Sequence, residues 1–169
     1  IALRQAKYLT RFGKRGTFKY KQRFPSTQKS AKVVDSDKDN YEYVNKKRIN
    51  ELESIRNSKF DLIRLIESCR EINTSFNEQA YLAVPLLVRS VLDQVPPIFG
   101  LKTFIEVANN HGTKSFKDSI AHLENSSRKI SDSYLHTPIR SKEALPNSTQ
   151  VYFSNDLDVL LQEIFRLLK

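Results

Sequence analysis

Between Ser115 and Pro138 the chain reads SFKDSIAHLENSSRKISDSYLHTP, and within it Phe116, Ile120, Leu123, Ser127, Ile130 and Tyr134 recur at alternating steps of four and three. A strand would scatter that set over both of its faces, whereas an α-helix gathers it on one. A long amphipathic helix has to cover its apolar stripe, so this feature commits the chain to a core built with other helices. Ser115 and Asp118 open the helix as an expected cap, and Pro138 closes it.

The flanking sequence supplies those partners. From Lys46 onward Ile49, Leu52 and Ile55, then Leu62, Ile63, Leu65, Ile66, Cys69 and Ile72, follow helical steps, as one helix or as two broken near Asn57 and Ser58. Ser75, with Glu78 three residues on, predicts the start of a helix burying Tyr81, Leu82, Val84, Val88, Val91 and Leu92. Pro85 inside it predicts a kink or a late start, and VPPIFG at Val95 to Gly100 ends it. A short helix is expected over Leu101 to Asn109, before the turn NNHG. Ser154 or Asn155 is the expected cap of a last helix carrying Leu157, Leu160, Leu161, Ile164 and Leu168, preceded by a short extended piece at Gln150 to Phe153. The expected fold is all-α: a four- to five-helix bundle over residues 46–169, with residues 1–45 as a basic arm and polar linker.

Charge divides the chain in the same way. Residues 1–32 hold ten Lys and Arg and no acid, residues 33–48 four of each, and residues 49–169 fourteen cations against fifteen acids. The net charge of +9 therefore belongs to the arm. In GTFKYKQRF the rings of Phe18, Tyr20 and Phe24 alternate with Lys19, Lys21 and Arg23, a strand-like period that predicts an extended arm or a short hairpin. Rings that stack on bases beside cations that neutralise phosphates suit single-stranded nucleic acid, with Arg15, Phe18, Lys19, Tyr20, Lys21 and Arg23 as candidate contacts. An edge hairpin or a merely solvated tail is the alternative reading. SAKVVDSDKDNYEY, Ser30 to Tyr43, reads as the polar linker.

Other classes are excluded or weakened. No run of apolar residues approaches the roughly 20 needed to cross a bilayer, so no membrane partner is expected. A single cysteine, Cys69, forbids an intrachain disulfide and suits a cytoplasmic setting. The sequence has no metalloprotease histidine pair, phosphate loop, glycine-rich dinucleotide turn or serine-nucleophile elbow, and no cofactor or metal is expected. The chain opens at Ile1 without a methionine, which reads as a segment, a processed form or a chain with residues omitted.

On a wheel of about 100° per residue, Phe116, Ile120, Leu123 and Tyr134 define a core face, and Asn125, Arg128, Lys129, Asp132 and His136 lie opposite it. The wheel turns those five toward water, a partner subunit or a substrate. Asp132 stands four residues before His136 and could orient its imidazole. An Arg and a His beside one phosphodiester could stabilise charge and move a proton. The competing reading is a charged helix surface with an incidental histidine. His111 reads as a turn residue, His122 as a helix flank, Cys69 as core, and Arg89 with Asp93 as an intrahelical ion pair.

NEQAYLAVPLLVRSVLDQVPPIFG, SFKDSIAHLENSSRKISDSYLHTPIR and VYFSNDLDVLLQEIFRLLK together resemble the HEPN-like helical domains, particularly the C-terminal domains of bacterial abortive-infection proteins. The likeness spans roughly Phe60 to Lys169. It implies an all-α bundle that dimerises through polar helix faces and binds or cleaves RNA without a metal. In active members an Arg precedes the His by four to six intervening residues. Here His136 matches the histidine, Lys129 holds the furthest permitted position, and Arg128 is one residue too distant. Arg128 and His136 would lie about 12 Å apart along a helix and about 80° apart around it. The candidate residues are His136, matched by the resemblance, with Arg128 or Arg140 for catalysis, Lys129 as an RNA contact, and Asn125, Asp132, Arg89 and Asp93 in support. Three functions follow: an RNA-binding defence module, a metal-independent ribonuclease toxin, or a dimerisation scaffold without a nucleic-acid role.

Overall fold

The computed structural model describes residues 41–56 and 59–169. The basic stretch around Gly16 to Phe24 lies outside the described residues. Within them the chain forms six α-helices and no strand: α1 Lys46–Ser54, α2 Ile63–Asn77, α3 Ala83–Gln94, α4 Phe104–Asn110, α5 Lys114–Leu135 and α6 Ser154–Leu168. A 3-10 turn, Pro96–Phe99, joins α3 to α4. The all-α bundle expected from periodicity is what forms. Its helices close a ring, with α1 on α2, α2 on α3, α3 on α5, α5 on α6 and α6 back on α1, while α4 rests on α5.

The ring encloses one apolar core. Cys69, Ile72, Val84, Val88, Val91, Ile120, Leu123, Leu160, Leu161 and Ile164 have no exposed surface. α5 is the hub, and it buries Ser127 and Ser131 as well as its apolar residues. Both hydroxyls are satisfied on their own helix: Ser127 donates to the Leu123 carbonyl at 2.7 Å and Ser131 to the Arg128 carbonyl at 3.0 Å.

Several helix ends differ from the sequence-based expectation. Ser75 and Glu78 do not open α3; Ser75 lies in the last turn of α2, and Glu78 follows that helix. The Ala80 N–H returns to the Ser75 carbonyl at 2.8 Å and the Gln79 N–H to the Phe76 carbonyl at 3.1 Å, with Gln79 at φ 59°. This is a Schellman closure with glutamine in the position usually held by glycine, which is why the sequence conceals it. α3 then starts late, so Pro85 falls in its first turn, where an N–H has no helical partner to lose. Leu82, expected in the core, is instead an exposed residue.

α4 begins at Phe104 rather than Leu101, because Thr103 and Glu106 form a reciprocal capping box. α5 is capped by Thr113, whose side chain accepts the Phe116 N–H, and not by Ser115. Ser154 is the first residue of α6 rather than its cap. Its hydroxyl donates to the Tyr43 carbonyl at 2.6 Å. The expected extended piece at Gln150 to Phe153 is a turn, with the Tyr152 N–H on the Thr149 carbonyl.

The core also reaches upstream of Lys46. Tyr43 and Val44 are buried. Asn73 of α2 grips Val44 through both backbone groups, accepting its N–H at 2.7 Å and donating to its carbonyl at 2.9 Å.

Candidate functional site

Four residues singled out in the sequence come together between α3 and α5. Arg89 of α3 pairs with Asp132 of α5, while its Nε stands 4.0 Å from Asp93 Oδ2. Arg128 of α5 donates through Nε to Glu124 Oε1 at 2.7 Å and reaches Asp93 Oδ1 at 3.5 Å. The intrahelical Arg89–Asp93 pair is present and is extended into a chain of contacts across two helices. Arg128 and Asp132 are half-buried against α3 rather than turned away from the protein's own helices.

The cause lies in the buried face of α5. Ile120, Leu123, Glu124, Ser127 and Ser131 centre it about 40° from the face drawn through Phe116 and Tyr134. That rotation swings Arg128 and Asp132 to the flank. Asn125, Lys129 and His136 stay exposed.

Glu124 carries the strongest electrostatic constraint. It is 5% exposed and its Oε2 has no hydrogen-bond partner, so Arg128 is its cation. The hydrogen bond from Arg128 to Glu124 strengthens the guanidinium's hold on its proton. Arg128 is held on the α3 side by Glu124 and Asp93.

His136 follows the last turn of α5 with a side chain 74% exposed. Its Nε2 lies 3.9 Å from Asp132 Oδ1, too long for a hydrogen bond. Asp132 thereby stands between Arg89 and His136. Arg140 is exposed in the loop beyond, its backbone N–H on Glu143 Oε1.

Beside this network an open groove of about 430 Å³ runs between α2, α3 and the end of α5, lined by Arg64, Leu86, Arg89, Asp93, Gln94 and Leu135 among others. Arg64 Nε donates to Gln94 Oε1 at 2.9 Å, and Gln94 Nε2 is buried without a partner. Neither Arg64 nor Gln94 has a local sequence signal, since the groove exists only once α2 and α3 pack.

The remaining candidates have structural settings. His111 bonds Glu163 of α6 at 2.6 Å and sits edge-on between Phe99 and Phe116. His122 bonds Asp156 at 2.6 Å, joining α5 to the start of α6. Cys69 is wholly buried, and burial pushes its thiol up to about 12. Among the described residues, no group of three His, Cys, Asp or Glu is arranged to hold a metal ion. Among them too, no single helix is long and apolar enough to cross a membrane. Arg15, Phe18, Lys19, Tyr20, Lys21 and Arg23 lie outside the described residues.

One cluster has no counterpart in the sequence reading. Tyr41, Tyr43, Phe76, Tyr81 and Tyr152 meet where the chain enters the bundle, with ring centroids 5.0–6.3 Å apart in every contacting pair. Tyr41 and Tyr43 stand in the run DNYEY, whose polar composition reads as linker. No protein-family model, curated protein or solved structure matches the chain.

Proposed function

We propose that the chain is an RNA-binding helical module of a prokaryotic defence-type protein, HEPN-like in architecture and acting in the cytoplasm. The observation that carries this reading is charge segregation: ten cations and no acid in residues 1–32, ahead of a near-neutral bundle. The α3–α5 network supports that division of labour. Arg89 and Arg128 are answered by Asp93, Glu124 and Asp132, so this face offers phosphates little net attraction. Affinity falls to the N-terminal segment, with Lys129, His136 and Arg140 as exposed contacts on the bundle. Homodimerisation through the exposed side of α5 belongs to the same reading.

RNA affinity measured against salt tests it, for the whole chain and for a form lacking residues 1–32. The whole chain is expected to bind with a steep salt dependence, and the shortened form to lose most of both affinity and slope. Failure of the whole chain to bind at low salt would sink the reading and favour a protein-interaction scaffold.

A metal-independent ribonuclease is the second reading, and one observation favours it: Asp132, paired with Arg89, stands 3.9 Å from an exposed His136. Arg128, already held by Glu124 and Asp93, is a poor partner for that histidine. Cleavage of total RNA in chelator, lost in His136→Ala, would establish the activity. Identical RNA profiles with and without protein would remove it.

A further inference from the structure

The aromatic cluster at the entry to the bundle contains more ring surface than closing the core requires. Tyr43 provides that closure, being 1% exposed, with its hydroxyl donating to the Val151 carbonyl at 2.7 Å and the same oxygen accepting the Phe153 N–H at 2.6 Å. Phe76 packs against it at 5.0 Å. Tyr41 and Tyr152 lie on the outside of this pair, 44% and 41% exposed. Two large rings held together at a surface, with polar tips, are the form of a contact site.

We propose that Tyr41 and Tyr152 form a stacking platform for the bases of single-stranded RNA, a site that rests on the RNA-binding reading above. Three observations support it. First, the rings are fixed in advance. Their hydroxyls hydrogen-bond each other, and both rings lean on Phe76, at centroid distances of 5.4 Å and 6.3 Å. A ring already ordered loses little side-chain entropy when a base stacks on it.

Second, the acid next to Tyr41 in the run is answered by a cation. Glu42, the acid between the two tyrosines of the run, is neutralised by Lys46, whose ammonium is 3.3 Å away and whose backbone N–H it also accepts. Lys47 is exposed one residue further on. Third, the cations are supplied upstream: residues 1–32 hold ten Lys and Arg and no acid, and Lys32 stands nine residues before Tyr41, with Asp35, Asp37, Lys38 and Asp39 between. Phosphates neutralised by the segment and bases stacked on the rings are the two halves of sequence-tolerant single-strand recognition.

The two halves respond differently to salt, and the experiment uses that difference. The full chain is titrated with an oligouridylate of about a dozen nucleotides at several salt concentrations. The sequence contains no tryptophan, so intrinsic emission comes from its seven tyrosines, Tyr20 of the basic segment among them, and the quenching due to the platform is the part lost in Tyr41→Ala and Tyr152→Ala. Wild type is expected to bind with quenching of that emission. Tyr152→Ala and Tyr41→Ala are each expected to weaken binding roughly 5- to 100-fold without changing the slope of log affinity against log salt. Tyr152→Phe keeps the ring and is expected to keep the affinity. Tyr152→Leu fills the same space without a flat face and is expected to behave like Tyr152→Ala, which separates stacking from loss of packing. If wild type binds the oligonucleotide and all four variants bind as it does, the platform is wrong and the RNA reading survives. If wild type does not bind at low salt, both fall.

Discussion

Gln79 is the only described non-glycine residue with a positive φ. A side chain there costs roughly 1–2 kcal/mol of backbone strain that glycine avoids, partly offset by glycine's greater freedom in the unfolded chain. Gln79→Gly is therefore expected to raise stability by about 0.5–1 kcal/mol in urea unfolding, and a loss would show that the glutamine side chain contributes there. Gly112 is the opposite case. Its φ is 76°, and an added Cβ would stand 2.9 Å from Phe116 Cδ1, so Gly112→Ala is expected to cost roughly 1–3 kcal/mol. Beside it, Glu163 has its carboxyl pulled down to about 2, first by the hydrogen bond from Arg166 and then by that from His111. A carboxyl lowered on folding stabilises the fold above its unfolded pKa of about 4.3, and that contribution disappears as pH falls toward 2. The stability gap between wild type and Glu163→Gln should be constant above about pH 5 and narrow below it. A gap that persisted unchanged to pH 2 would contradict the assignment.

At the scale of elements, the seam between α3 and α5 shows why helices were legible and their faces only partly so. Apolar spacing and turn signals placed a helix in each region that forms one, because both are local properties, but they left α1 and α2 as one helix or two and opened α3 inside the end of α2. The rotation of α5 was not local: spacing already put Ser127 on the apolar stripe, but Glu124 and Ser131 lie on the buried side as well, and residue type gave no sign that they would. Glu124 and Arg128 stand four apart, a spacing visible in the sequence, but the burial that makes the pair matter comes from α3. Arg128→Ala would leave Glu124 buried without its cation, and the expected loss is roughly 2–4 kcal/mol, the lower part reflecting the one-third exposure of the arginine. Adding Glu124→Gln to that variant is expected to recover much of the loss, since the stranded charge is then gone. Lys129→Ala, one residue along on the exposed side, should be within about 0.5 kcal/mol of wild type. If Arg128→Ala proved equally mild, the network would not be holding the seam, and a role for Arg128 toward a ligand would regain ground.

For the whole molecule, charge segregation and the all-α core were both readable because composition and period need no tertiary knowledge. The domain's beginning was not. DNYEY looks like linker because its neighbours are Asp, Asn and Glu, while the partners of Tyr43, Val151 and Phe153, are 108 and 110 residues away. The candidate site shares this limit: His136 and Lys129 could be located on a helix surface, but the groove residues Arg64 and Gln94 come from separate helices. Tyr43 makes the distant contact measurable. Tyr43→Phe removes one oxygen and leaves a buried N–H and a buried carbonyl without it, at an expected cost of about 2–3 kcal/mol. The urea dependence should keep its slope, since the surface exposed on unfolding hardly changes. A chain beginning at Lys46 loses Tyr43, Val44 and the Asn73 clamp together, and is expected to unfold at lower urea than Tyr43→Phe. A chain beginning at Tyr41 retains all three and should be more stable than the one beginning at Lys46. Equal midpoints for the two shortened chains would mean that the bundle does not depend on the residues stitched across its ends.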